Sequence, residues 1–160
     1  MSPWEQHDWI DLTQHLLDSY RRLIGCELID RQNSAAADAE SLFQVPFVVV
    51  AHGTQPDPLL SYGNATALDL WEISIPTLLK TPSRQTAEPV HRDERRSLLE
   101  RTTRDGYVDD YRGIRISTTG KRFLIERATV WNVEDNEGKR IGQAATFDTW
   151  TPLEPNEPSR

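Results

Sequence analysis

The 160-residue chain has one cysteine, one methionine and no cluster of basic residues, and each scarcity removes a class of function. A lone Cys26 excludes an intramolecular disulfide and argues against a thiolate-rich zinc site, which points to a reducing, cytoplasmic setting. With 18 Lys and Arg against 25 Asp and Glu, the net charge is −7 and the isoelectric point about 5.1. Basic residues lie scattered among acids, so no nucleic-acid partner is expected, because backbone-tracking proteins draw affinity from clustered cations. No apolar run approaches bilayer-spanning length, and the N-terminus, MSPWEQHDW, is acidic and aromatic where a secretory signal is basic and then apolar; no membrane partner is expected. Gly-x-Ser-x-Gly, His-Glu-x-x-His and phosphate-loop motifs are absent, so the sequence supplies no catalytic residue. It supplies no metal ligand either: His7 and His15 are eight apart, about 80° round a helix, poor geometry for sharing an ion.

What is present is one domain's worth of patterned chain with five tryptophans and ten prolines. The segment Tyr107–Trp150 reads as three strands joined by short turns. A three-residue turn, Thr118-Thr119-Gly120, puts glycine where the backbone goes left-handed. With Ser117 flanking Lys121, Val108 faces Val130, Ile114 faces Leu124 and Arg112 faces Glu126. The same register sets Tyr111 against Arg127 as a cation–π pair, and Arg115 against Phe123. The middle strand is apolar on both faces: Phe123, Ile125, Trp131 and Val133 on one, Leu124, Ala128 and Val130 on the other. Each face of this sheet therefore needs a cover.

Residues 1–30 supply one cover, an amphipathic helix with apolar positions at Trp9, Leu12, Leu16, Leu17, Tyr20, Leu23, Ile24 and Leu28. Its stripe either packs on the sheet or pairs with a second copy. Residues 31–44 read as a linker or a short, weak helix. VPFVVVAHG and LLSYGN read as two strands, and Asn64 occupies a helix N-cap position. Short helices follow up to Gly106 and supply the second cover, with PSRQTAEP as a wrapping loop. The core spans residues 45–150, and the proline-rich tail, 151–160, is expected to be disordered. The plan is α+β around one antiparallel sheet.

That order of elements resembles a PAS domain. SYGNATALDLWEIS looks like the strand-then-helix opening, VHRDERRSLLERTTRDG like the His-Pro-Glu-Asp-Arg helix, and EDNEGKRIGQAATFDTW like the closing hairpin. A closer resemblance is to the MEKHLA-domain family, a PAS-like group of small bacterial proteins and plant homeodomain–leucine zipper C-terminal domains. LLDSYRRLIGCELI, PFVVVAHGTQPDPLLSYGNATALDLWE, PSRQTAEP, DDYRGIRISTTGKRFLIERATVWNV and GQAATFDTW carry it. The resemblance implies a five-stranded antiparallel sheet in the order 2-1-5-4-3, with short helices on one face and the N-terminal helix on the other. It also implies a sensory or regulatory module, expected as a homodimer that signals through an unknown downstream protein partner.

No cofactor is expected. The flavin photoreceptors of this fold carry a reactive cysteine in the region that here reads PSRQTAEP, which has none. Haem-binding relatives present a histidine near His91, but VHRDERR matches the ordinary helix opening. His52 reads as a hydrogen-bonded structural histidine. A small-molecule cavity between the three strands and the middle helices would be lined by Arg127, Thr129, Gln143 and Thr146. Trp71 and Trp131 would be its walls, and Arg84 and Glu88 would reach its mouth. Two alternatives stand beside this reading: an enzyme using a buried Glu126 as base, and a dimerisation module whose core is filled.

Overall fold

The computed structural model describes residues 2–88 and 91–154, and its first helix, α1 (His7–Ile24), stops at Gly25, whose N–H closes on the Arg21 carbonyl at 2.9 Å. Leu16 and Leu17 are wholly buried in one core with Trp9, and Leu12, Tyr20, Leu23 and Ile24 pack against it. Each buried leucine contributes about 1.5–3 kcal/mol, so the apolar stripe of α1 is committed to the sheet.

Residues 31–44, expected as a linker or weak helix, hold a second helix, α2 (Ala35–Gln44). Ser34 caps it by accepting the Ala37 N–H at 3.1 Å, and Leu42 and Phe43 enter the same core as α1. Asp38, buried in α2, receives the Gln32 N–H at 2.6 Å, Gln14 Nε2 at 3.0 Å and Arg31 Nε at 3.0 Å. Burial pushes its pKa up, but these donors outweigh it and hold the carboxyl below its usual value.

The strands are β1 (Val48–His52), β2 (Leu60–Gly63), β3 (Tyr107–Ile116), β4 (Arg122–Glu134) and β5 (Arg140–Phe147), antiparallel in the expected order β2-β1-β5-β4-β3. A sixth, β6 (Thr149–Pro152), follows β5 after Asp148 and pairs with Phe123–Glu126 of β4. Thr151 and Pro152, expected in the disordered tail, are therefore strand residues; residues 155–160 lie outside the described residues. Helices α3 (Ala65–Trp71), α4 (Ile75–Leu78) and α5 (Arg92–Asp105) connect β2 to β3. Asn64 does more than cap α3. Its Oδ1 accepts from Ala67 and Val49 N–H groups, both at 3.1 Å, while Nδ2 donates to the Leu42 and Phe47 carbonyls. One buried amide thus ties α2, β1 and α3 together.

The β3–β4 hairpin turns as its sequence dictates: Ser117 and Lys121 flank the loop and Gly120 takes φ 88°. Val108 faces Val130, Ile114 faces Leu124 and Arg115 faces Phe123. Between these pairs the register slips twice and returns: β4 carries an extra residue where Arg127 adopts φ 55°, and β3 carries a compensating one between Val108 and Tyr111. Tyr111 consequently faces Ala128 rather than Arg127, and its cation partner is Arg115, whose guanidinium carbon lies 5.2 Å from the ring centroid. The bulge also inverts which residues face which layer. Phe123 and Ile125 before it, and Ala128 and Val130 after it, share a core with Trp71 of α3 and Leu98 of α5. Trp131 and Val133 belong to the α1 core instead, a different division from the alternation read in the sequence.

Candidate ligand cavity

The strand period puts Tyr111, Gly113 and Arg115 on one face of β3. A Cβ on Gly113 would lie 2.0 Å from the Tyr111 hydroxyl oxygen, so the ring can lie back along the strand only over a glycine. Across from β3, α5 presents Arg95, Leu98 and Thr102 as its buried stripe. These two elements, with His52 of β1, Trp71 of α3, Ile125, Ala128 and Val130 of β4 and Gln143, Ala145 and Phe147 of β5, enclose a cavity of about 70 Å3. It is room for roughly five water-sized groups. A wider chamber of about 360 Å3 adjoins it, sharing Val50, Leu60, Trp71 and Thr86.

The inner cavity is apolar except for a few converging polar groups. Arg95 and Arg115 are each 8% exposed. Arg95 Nη2 donates to Ser83 Oγ at 2.6 Å, and Arg115 Nη1 donates to the Ile114 carbonyl at 3.0 Å. Among the described residues neither has a carboxylate at ion-pair distance, whereas the partly buried Arg31 and Arg122 meet Asp38 at 3.0 Å and Glu88 at 2.7 Å. Burial, then the neighbouring Arg115 charge, pull the Arg95 pKa down to about 10. His52 Nδ1 lies 2.9 Å from the Gly53 carbonyl and must carry the proton there, leaving Nε2 as a buried lone pair with no partner. Burial pushes the His52 pKa down to about 4, so the ring is neutral. The indole N–H of Trp71 is likewise buried and unpartnered.

Of the residues expected from sequence, Trp71 and Gln143 line this cavity. The Gln143 amide is engaged with the Leu99 carbonyl, Thr103 Oγ1 and Asn132 Oδ1 at 2.9–3.1 Å, fastening α5 to the sheet. Arg127, Thr129 and Thr146 lie on the opposite face beside Leu28 and Phe47, where strand alternation and the bulge direct them. Trp131 is buried against Tyr20 of α1. Arg84 pairs with Asp57 at 3.2 Å on the surface, and Glu88 pairs with Arg122. Glu126 is not a buried base: it meets Arg112 at 3.2 Å, both side chains being more than a third exposed, on the face away from the cavity. His91 does not line the cavity, and its Nε2 lies 4.0 Å from Glu88 Oε1. No group of residues suited to a metal ion occurs among the described residues. No helix among them is long and apolar enough to cross a membrane.

A family model for the MEKHLA domain matches residues 10–152. The chain belongs to the MEKHLA-domain family. No curated protein matches this MEKHLA domain. Among solved structures it is similar to the PAS domain of a Colwellia psychrerythraea protein, with 14% identity, TM-score 0.60, and coverage of 71% of this chain and 94% of that one. It is also similar to the light-state dimer of the fungal blue-light photoreceptor Vivid, with 14% identity, TM-score 0.59, and coverage of 90% and 94%. An RNA-binding light–oxygen–voltage receptor matches with 16% identity, TM-score 0.58, and coverage of 79% of this chain but 34% of that one. These likenesses establish a PAS fold for the MEKHLA domain.

The light–oxygen–voltage neighbours raise the question of a flavin. Among the described residues no cysteine is placed to form a covalent flavin adduct. Neither chamber is lined by a cysteine, and Cys26 is exposed just beyond α1. The inner cavity alone is too small for three fused rings, which would have to extend into the adjoining chamber.

Proposed function

We propose that this MEKHLA domain is a non-catalytic sensory module whose state is set by a small molecule bound between the sheet and helices α3 and α5. The observation that carries the reading is the cavity itself, apolar over most of its wall and with Arg95, Arg115, His52 and Trp71 converging on it. Pockets of that composition are the usual small-molecule sites. The ligand would bridge α5 to β3, and a cytoplasmic protein partner would read the change.

Self-association belongs to the same proposal. Because the apolar stripe of α1 is spent on the sheet, a homodimer would use the outer, polar side of α1 or the edge strand β3. Sedimentation velocity showing a strict monomer at high micromolar concentration would remove that part.

The ligand reading is tested by a ligand-observed NMR fragment screen of the wild-type protein, with an Ala145→Leu variant as the counter-screen. Fragments that bind the wild type and lose binding when leucine fills the cavity support it. A wild-type protein that binds no fragment, or binds the same ones in both forms, contradicts it.

A further inference from the structure

The geometry points to a small organic acid as the occupant of the inner cavity, its carboxylate held between Arg95 and Arg115 and its apolar body against Trp71, Val130 and Phe147. This rests on the sensory reading above and narrows it to a charge class.

A guanidinium removed from water loses several kcal/mol of hydration, and the loss is recovered only by a well-placed anion and a full set of hydrogen-bond acceptors. Arg31 and Arg122 obey that rule, each against a carboxylate. Arg95 and Arg115 are buried deeper than either and break it together, in one cavity, with the Ser83 hydroxyl, the Ile114 carbonyl and the Tyr111 hydroxyl as acceptors and Asp57 as a more distant counter-charge to Arg95. The Tyr111 ring under Arg115 supplies some compensation, but a ring face is a poor substitute for an anion. Elsewhere the chain has an excess of acids, 25 against 18 bases, so the scarcity of carboxylates here is not compositional. Glu94, the nearest acid on α5, is turned to the Tyr111 hydroxyl at 3.4 Å and is itself exposed.

Two positive charges in a shared apolar wall repel each other, and a single carboxylate relieves both. Arginine forks bind carboxylates with geometric specificity that a point charge lacks. The rest of the wall argues for hydrocarbon next to the charge rather than for a bare inorganic anion: Leu98, Ile125, Val130 and Phe147 offer no further donors. At about 70 Å3 the space suits a body of roughly five non-hydrogen groups, with longer acids extending toward the adjoining chamber past Trp71.

The test is thermal unfolding of the full chain with butanoate, hexanoate and benzoate, each against its neutral amide, and with inorganic phosphate. At least one acid is expected to raise Tm by roughly 5–10 °C at a hundredfold excess over Kd, with no shift from its amide or from phosphate. The shift should vanish in Arg95→Met and in Arg115→Met. The wild-type acid–amide contrast stands even if a variant does not fold. Amides that match the acids, or phosphate that matches them, overturn the proposal and leave the sensory reading intact. So does the absence of any acid shift when the fragment screen finds cavity binders. If that screen is also empty, both fall.

Discussion

Replacing Arg95 by methionine is expected to make the ligand-free protein more stable, the reverse of what losing a buried, hydrogen-bonded side chain usually does. The drop of its pKa from 12.5 to about 10 means that the folded chain disfavours the charge by about 3 kcal/mol. That cost is present at every pH below about 10 and is relieved only above it, so it is constant through the neutral range. Against it stands the charge-assisted hydrogen bond to Ser83 Oγ, of the kind that contributes roughly 1.5–3 kcal/mol. Methionine keeps most of the apolar stem's volume, and the buried Ser83 Oγ that it leaves without a partner is the cost counted in that hydrogen-bond figure. The net is a gain of about 1 kcal/mol, or roughly 2–4 °C in Tm for a chain of this size. Urea titration at neutral pH, with an unchanged m-value confirming the same folded state, reads it directly. A loss of about 2 kcal/mol or more would refute the reasoning. It would show Arg95 to be a structural clamp on Ser83, with no unmet charge in the cavity.

Three further outcomes follow from the same geometry. His52 titrates at about 4 when folded and near 6.5 when unfolded, so the unfolded chain takes up its proton first as pH falls. Its contribution, complete above about pH 6.5, should be lost down to about pH 4, costing about 3 kcal/mol, and urea titrations across that range should flatten in His52→Gln. Gly113→Ala should displace the Tyr111 ring from beneath Arg115 and destabilise by about 1–3 kcal/mol, read by calorimetry and tyrosine fluorescence; an unperturbed variant would contradict the close approach. Asp38→Asn should cost about 1–3 kcal/mol by removing the buried one of the carboxylates around Arg31, which keeps Asp18 at 3.1 Å, and the wild-type advantage should disappear in acid as the depressed carboxyl finally protonates.

The hairpin register was legible because a turn glycine and oppositely charged Arg112 and Glu126 fix it locally. Its failure at Tyr111 traces to two compensating insertions, one in each strand. Apolar positions run odd through Phe123 and Ile125 and even through Ala128 and Val130, the mark of an inserted residue. The apolar Leu124 and Trp131 mask that change of phase by filling both faces. Helix α2 was underread because its short polar side chains hide a capped start at Ser34 and a buried Leu42-Phe43 end. The site residues that matter most were missed for a tertiary reason. In RDERR, Arg95 looks like one more solvated charge. Yet its spacing to Leu98 and Thr102 puts it on the buried stripe of α5, and Arg115 opposite the buried Phe123 carries the same signal. That the two cations meet in one cavity depends on how α5 crosses β3, which no local pattern encodes.

Native mass spectrometry of the freshly purified chain, with an absorption spectrum through the visible range, addresses the central claim most directly. A substoichiometric or full adduct of a small, colourless acid, released on denaturation and replaced by hexanoate or benzoate, is expected. A chromophore absorbing in the visible, or a uniformly empty chain that no acid loads, would contradict it.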